Sequence, residues 1–427
     1  MPRLILIFVL LFVAASAAAE EFSFDEAELD KKWYHLGGYV EARPGVNLLD
    51  RDAALTRQRY YGRQVDSTLA DFNGKLLLEG SIEKNWAKLF FQPSLDYINT
   101  RLVNDLKLTW YESYLQIKPN DSFKVLAGKK SLKWGKGYAW NPVAFFDRPK
   151  SPDDPELSLE GFWLATTDYI HSFDGPLKTV AFTPVLLPQS DGLNDDFGSS
   201  DRLNFGGKLY FLLYDTDIDL LFLADGSRTE RYGFDFSRNI TTNLELHGEL
   251  AWVRAAARPV VGANGQMQLK TADTSSWLAG LRYLTARDIT CIFEYYHNGS
   301  GYSPKEMQAY FDQVNQAYLS WQQSGDPSLL QRTAGHNSFT RVAPMQDYLY
   351  TRVSQKEPFG ILYFTPAMTA IVNLDDHSLT IAPELVYAGI TNLELRLKGS
   401  VIIGPPLSEY GEKQNDARFE LRLRWYF

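Results

Sequence analysis

The sequence has a single cysteine, Cys291, among 427 residues. It therefore has no internal disulfide and none of the paired-cysteine spacings that hold structural zinc or attach haem. Histidine is scarce too: the six, at positions 35, 171, 247, 297, 336 and 377, are scattered. No Gly-x-Ser-x-Gly elbow occurs, so no enzymatic activity and no cofactor are expected. A basic surplus is also lacking, since 43 Lys and Arg face 52 Asp and Glu for a formal charge of −9, which argues against nucleic acid as a partner. Beyond residue 19 there is no run of eighteen apolar residues, so no transmembrane helix is available. A linker rich in Pro, Gly or Ser is missing as well, and with it any sign of a second domain.

What the chain does have begins with its first nineteen residues. Arg3 gives a short positive start, Leu4 to Val13 is almost unbroken apolar sequence, and Ala17-Ala18-Ala19 precedes Glu20. These are the parts of a secretory signal peptide over 1–19, whose removal takes the charge to −10 and leaves 20–427 as one domain. Aromatics make up 14% of the chain, with 24 Tyr and 10 Trp, a richness that suits the girdles where rings sit at the level of lipid headgroups.

The last eleven residues carry the plainest pattern. Phe419, Leu421, Leu423, Trp425 and Phe427 alternate with Arg418, Glu420, Arg422, Arg424 and Tyr426. A period of two places the apolar set on one face of a strand and the charges on the other. In a barrel in lipid, one face meets acyl chains and the other a wet lumen. The same alternation recurs upstream. Leu36, Gly38, Val40 and Ala42 point outward between His35, Tyr39, Glu41 and Arg43; Leu76, Leu78 and Ile82 do so against Lys75, Glu79 and Glu83; Leu244, Leu246, Leu250 and Trp252 do so against Glu245, His247 and Glu249. Turn residues fall where the alternation breaks, at Lys84-Asn85, Pro119 to Ser122, Asp174-Gly175-Pro176, Asp215 to Asp217, Arg238-Asn239 and Arg287-Asp288. The count predicts an all-β transmembrane antiparallel barrel of about 18 strands, or 16 if one marginal pair near Tyr348 to Val353 is misread. Cys291 would face lipid beside Ile289 and Phe293. At this strand number side chains alone do not fill the interior, so a water-filled channel follows unless loops plug it.

The most individual stretch is the 132–161 loop, with Trp134-Gly135-Lys136-Gly137-Tyr138-Ala139-Trp140-Asn141-Pro142 and later Pro152-Asp153-Asp154-Pro155-Glu156. Glycines allow a compact path, tryptophans supply rigid surfaces, and prolines stiffen the exit. With its Trp-Gly-x-Gly and Asn-Pro, and with the aromatic final strand, the chain resembles the bacterial outer-membrane porin-like β-barrel family. The loop match covers about thirty residues, and the periodicity covers the chain. The resemblance implies a bacterial outer-membrane protein whose third long loop bends into the lumen as a constriction, with Trp134, Gly135, Lys136, Gly137, Trp140, Asn141 and Pro142 forming it.

Lumen charges decide what can pass. Arg43, Arg396, Lys398, Arg418, Arg422 and Arg424 would make a basic wall, and Glu79, Glu83, Asp96, Glu112, Glu245, Glu249 and Glu294 an acidic one. Opposed walls set up a transverse field that admits small polar solutes without strong selectivity for one sign; the plainer reading is that these residues pair across strands and hold the barrel together. Glu245, His247 and Glu249 could hold a divalent ion, although lumen lining explains them without one. In the longest loop, Ser303, Pro304 and Glu306 form a capping box for an amphipathic helix carrying Met307, Tyr310, Phe311, Val314, Tyr318 and Trp321, ending at Ser324-Gly325. That apolar stripe must bury against the barrel as a lid or against a partner.

The expected function is a channel in the outer membrane, in contact with its lipid, for small polar or charged solutes, with homo-oligomers as porins commonly form. The alternative is a barrel scaffold sheathing periplasmic or surface cytochromes, as in a porin-cytochrome electron conduit.

Overall fold

The computed structural model describes residues 32–262 and 265–427; the expected signal peptide lies outside them. Residues 35–427 form one unit. Its eighteen strands are β1 (Tyr34–Leu49), β2 (Thr68–Lys84), β3 (Ala87–Asn99), β4 (Asn104–Asn120), β5 (Phe123–Lys130), β6 (Phe162–Ser172), β7 (Leu177–Pro188), β8 (Leu203–Leu213), β9 (Thr216–Leu223), β10 (Arg231–Thr241), β11 (Leu244–Val261), β12 (Met267–Leu284), β13 (Ile289–His297), β14 (Asp347–Gln355), β15 (Phe364–Asn373), β16 (Ser378–Ile390), β17 (Leu393–Ile403) and β18 (Asn415–Tyr426).

Each strand pairs antiparallel with the next, and β18 pairs back on β1, so the sheet is closed. The seam runs from Tyr39 opposite Tyr426 to Leu49 opposite Asn415. Closure leaves no edge of unpaired N–H and C=O groups, which is the condition for strands to cross lipid. The marginal segment near Tyr348 is a true strand, β14, paired on both sides.

Side chains obey the expected alternation. Leu36, Ile82, Leu89, Leu246, Leu250, Trp252, Phe293, Leu397, Phe419 and Leu421 are exposed on the outer surface, whereas Glu41, Lys75, His247, Glu249, Glu294 and Arg422 are buried inside. At β4 the register slips between the Gln92–Glu112 and Pro93–Trp110 pairs, so Tyr111 is the extra residue of a bulge. The bulge lets Trp110 point outward while Glu112 and Tyr114 still point inward.

One end of the barrel carries tight turns and both termini of the sheet. At Tyr214-Asp215 both residues have positive φ, 48° and 56°, the signature of a two-residue hairpin turn that matches strand twist. The turn expected at Arg238-Asn239 instead falls at Thr242-Asn243. Those two positions continue the ladder, pairing with Leu246 and Glu245, because a polar pair inside a strand is tolerated where its neighbours hold both rows of hydrogen bonds. At the other end the connections are uneven. Residues 100–103 and 374–377 are short, and the β11–β12 hairpin runs on past the rim, while 50–67, 131–161, 298–346 and 404–414 are long.

Among the described residues three α-helices occur in the long connections: α1 (Ala54–Tyr60), α2 (Pro304–Ser324) and α3 (Ser328–Ala334). The α2 capping box forms as expected, with Ser303 accepting from the Glu306 amide and Glu306 accepting from the Ser303 amide. Its buried stripe is Met307, Tyr310, Phe311, Val314 and Ala317; Tyr318 and Trp321 are only half-buried, Trp321 edge-on to Tyr61 at 5.7 Å.

The outward set makes a specific demand. Leu250→Arg puts a guanidinium on the apolar exterior of a central strand, and we expect a loss of roughly 2–4 kcal/mol, read from denaturant unfolding of the protein refolded in lipid vesicles.

Candidate functional site

The 131–161 connection turns into the barrel directly after Lys130. Its first turn is gathered around the buried Asp147 carboxylate, which accepts from Ser131 Oγ at 2.7 Å, from the Leu132 amide at 2.7 Å and from the Trp134 amide at 3.1 Å. Three donors on one carboxylate fix the limb from 131 to 134 against 147. The Asn141 side chain repeats this on a smaller scale, accepting from the Lys150 amide at 3.1 Å.

Beyond Trp134 the backbone passes over two wall carboxylates. Glu249 on β11 accepts from the Lys136 and Gly137 amides, both at 2.6 Å, and from the Val143 amide at 3.3 Å. Glu294 on β13 accepts from the Tyr138 amide and, at 2.8 Å, from the Ala139 amide, and it meets His247 Nε2 at 2.8 Å. This approach explains the glycines. A Cβ on Gly135, whose φ is 97°, would lie 2.7 Å from Glu249 Oε1, and one on Gly137 would lie 2.3 Å from the Trp140 carbonyl oxygen. Only glycine lets the main chain sit this close to the carboxylate.

The side chains pin the loop in three directions. Lys136 reaches Asp219 on β9 at 3.1 Å and Asp235 on β10 at 3.9 Å. Trp134 packs edge-on to Phe146 at 5.5 Å, within a cluster that includes Val143, Phe145, Leu164, Val185 and Leu221. Trp140 stacks on Tyr296 at 5.1 Å, within a second cluster that includes Leu278, Ile292, Tyr350 and Ile371. Farther on, Asp154 pairs with Arg422 at 2.8 Å and Arg396 at 3.5 Å, and the Lys398 ammonium donates to the Asp153 carbonyl. The loop thus leaves β5, reaches β13 eight strands away in a ring of eighteen, and returns to β17 and β18. Such a path crosses the lumen.

Burial alone would raise the Asp154 carboxyl, but Arg422, then Arg396 and Lys398, outweigh it and hold it below the usual carboxylate range. Burial drives the Lys150 ammonium down in spite of the carboxylates of Glu249, Glu294 and Asp147 nearby; its Nζ donates to the Gly137 carbonyl.

The remaining charged positions do not form two opposed walls. Acidic side chains sit inside the basic side: Arg424 pairs with Glu41 at 2.6 Å, Arg43 with Glu41 at 2.9 Å, Arg418 with Asp71 at 2.6 Å and with Glu420 at 3.1 Å, and Arg396 with Glu384 at 3.5 Å. The acidic set splits in two. On β2–β4, Glu79 accepts from Gln92 at 2.9 Å, Glu83 is in register with Lys88, Asp96 pairs with Lys75 at 3.3 Å, and Glu112 with Lys130 at 3.4 Å. On β11–β13, Glu245 accepts from Ser237 at 3.0 Å, while Glu249 and Glu294 hold the loop. The expected transverse field is therefore replaced by short pairs, because a charge inside a narrow lumen is stabilised most by an opposite charge on an adjacent strand. Of the three residues that could have held a divalent ion, His247 lies 3.9 Å from Glu245 and 2.8 Å from Glu294, while Glu249 is taken up by the loop, and among the described residues no cluster of His, Cys, Asp and Glu is arranged to hold a metal.

Above the loop, three connections interlock. Glu412, in the β17–β18 connection, accepts from the Ala54 amide at 2.5 Å and the Leu407 amide at 2.7 Å. Polar side chains then tie the helices to one another and to the wall: Gln58 donates to Thr333 at 2.9 Å, Arg57 to Asn315 at 3.1 Å, and Arg258 on β11 pairs with Glu306 at 2.9 Å. Phe339 stacks between Tyr302 and Tyr310, each at 4.1 Å. The α2 stripe and Trp140 belong to one continuous cluster, so cap and loop are joined.

No family model and no curated protein matches the chain by sequence. Among solved structures it is similar to Pseudomonas aeruginosa OccK11 (OpdR), with a TM-score of 0.53 at 12% identity over 92% of this chain and 95% of that one. It is also similar to Pseudomonas aeruginosa OccK5 (OpdH), with a TM-score of 0.51 at 13% identity over 92% and 98%, and to Acinetobacter baumannii OccAB3, with 0.51 at 9% identity over 92% and 99%. At these identities the likeness concerns the fold.

The anchoring has a mutational signature. Glu249→Leu leaves three amide donors without their acceptor, each worth about 1–3 kcal/mol when buried, whereas Glu249→Gln keeps an acceptor oxygen. We expect the leucine variant to lose at least about 3 kcal/mol and to expose 134–143 to limited proteolysis, with the glutamine variant falling between it and the parent.

Proposed function

We propose that the chain is a bacterial outer-membrane channel that passes small polar or charged solutes by diffusion, through a lumen narrowed by the 131–161 loop. The observation that carries this reading is the hold of Glu249 and Glu294 on five backbone amides of the loop. Both carboxylates belong to strands whose neighbouring residues, Leu250 and Phe293, are exposed on the outer surface, so the loop is fastened at membrane depth. Polar side chains of β1, β2, β16 and β18, strands that give no residue to the two apolar clusters, line another part of the wall, among them Glu41, Lys75, Glu384 and Arg422. Paired charges there offer a passing solute alternating donors and acceptors, with no single-sign barrier.

The cap of α1, α2 and α3 lies on the same path and sets which solutes reach the loop. A scaffold around a partner protein would need the interior that loop and cap occupy, and no observation favours it. An address in the outer membrane, a cleaved leader and association of several copies belong to this reading as proposals.

Purified protein in planar bilayers should give ohmic single-channel currents, and deleting residues 134–142 should increase the unit conductance. Absence of current both with and without the loop would overturn the channel.

A further inference from the structure

Two guanidinium groups near the outer shoulder of the loop have no carboxylate partner. Arg231 is the first residue of β10, opposite Leu223 on β9 and Val253 on β11. It shares its face with Gly233, where an added Cβ would meet Phe145 and Val143 of the loop at 3.1–3.2 Å, and with the buried Asp235. Arg231 therefore points into the barrel. Among the described residues its side chain has no hydrogen bond and no ion pair, and its Nε is buried without an acceptor.

Arg228, three residues earlier, donates only to main-chain carbonyls, from Nη1 to Phe145 at 2.9 Å and from Nε to Phe197, and lies over the Phe197 ring at 4.0 Å. Burial first, and then the like charge of Arg231, push it down to about 9.

The carboxylates around this pair are engaged elsewhere. Asp196 is on Arg148 at 2.9 Å, Asp225 is on Arg202 at 3.7 Å, and Glu230 is shared by Arg254 at 3.2 Å and the Tyr232 hydroxyl. A largely enclosed cation without an anionic partner is held at a large desolvation cost. Here two lie within each other's field, Arg228 against Phe145 and Phe197 and Arg231 opposite Leu223.

We infer that Arg228 and Arg231 form a binding site for a doubly charged oxyanion of the phosphate type, held inside the barrel at the outer shoulder of the loop. Charge decides the class: a dianion neutralises both guanidinium groups, whereas a monocarboxylate or chloride leaves one uncompensated. Several acceptor oxygens also suit donors arriving from two side chains. The inward register puts the site out of reach of lipid headgroups on the outer surface, so the ligand comes from solution, as inorganic phosphate or as a phosphate monoester. This site stands apart from the conduction proposed above.

The test is calorimetric titration of the full-length protein in detergent with inorganic phosphate, glucose 1-phosphate, acetate and chloride, repeated on Arg231→Gln. That substitution removes no bond seen in the fold, so the variant should fold, which its thermal unfolding checks. We expect one saturable site for phosphate, binding by acetate and chloride weaker by about tenfold or more, and an affinity for phosphate reduced about tenfold or more in the variant, the effect of losing one charge-assisted partner. Tighter binding of the ester supports the site with a solute as its ligand, and tighter binding of inorganic phosphate supports it with the free ion. Unsaturable phosphate binding, acetate binding as tight as phosphate, or an unchanged Arg231→Gln overturns the inference. A barrel that conducts but binds no phosphate overturns this site alone, and one that binds phosphate but never conducts overturns the channel alone.

Discussion

In hydrocarbon there is no water to satisfy a peptide group, so each N–H and C=O of the wall must find its partner in the chain. The pairing of β1 on β18 meets that requirement for the whole sheet, and the rest of the molecule follows from it. Once the sheet closes, each strand has an apolar side and an enclosed side. The enclosed side is then a place where carboxylates and guanidinium groups can be kept out of lipid and put to use.

Their use here is largely structural. The loop that crosses the lumen has few regular hydrogen bonds of its own, and the wall supplies them. Asp147 closes its base, Glu249 and Glu294 take up its central amides, and Arg396, Arg422 and Lys398 hold its far limb. The two aromatic clusters flank this polar spine, so the loop is held both by directional bonds and by excluded area. Charge that would otherwise set a strong field in the lumen is taken up by anchoring and by neighbouring pairs.

The barrel was legible because its cause is periodic: oil outside and water within impose alternation on Phe419 to Phe427 as on Leu244 to Trp252, and a period of two survives in any single strand. The capping box of α2 was legible for a similar reason, since Ser303, Pro304 and Glu306 act on one another over three residues. The pairing of lumen charges was not, because which carboxylate reaches Arg422 depends on a loop, and Asp154 is 268 residues away. Asp147 carries no local signal at all; its role comes from the three donors folded around it. α1 and α3 were missed because neither has a side-chain cap at its N-terminus, and both exist by packing on α2. The turn at Thr242-Asn243 was misplaced by a polar pair, Arg238-Asn239, that sits within the ladder.

The bond between Asp154 and Arg422 also constrains the order of assembly. The loop is made early in the chain, yet one of its anchors lies on the last strand, as does the seam that shuts the sheet. The loop gains that anchor only once β18 has docked, so its far limb is fixed no earlier than the sheet itself is shut. The final strand thus fastens two things at once, the seam of the wall and the contents of the lumen.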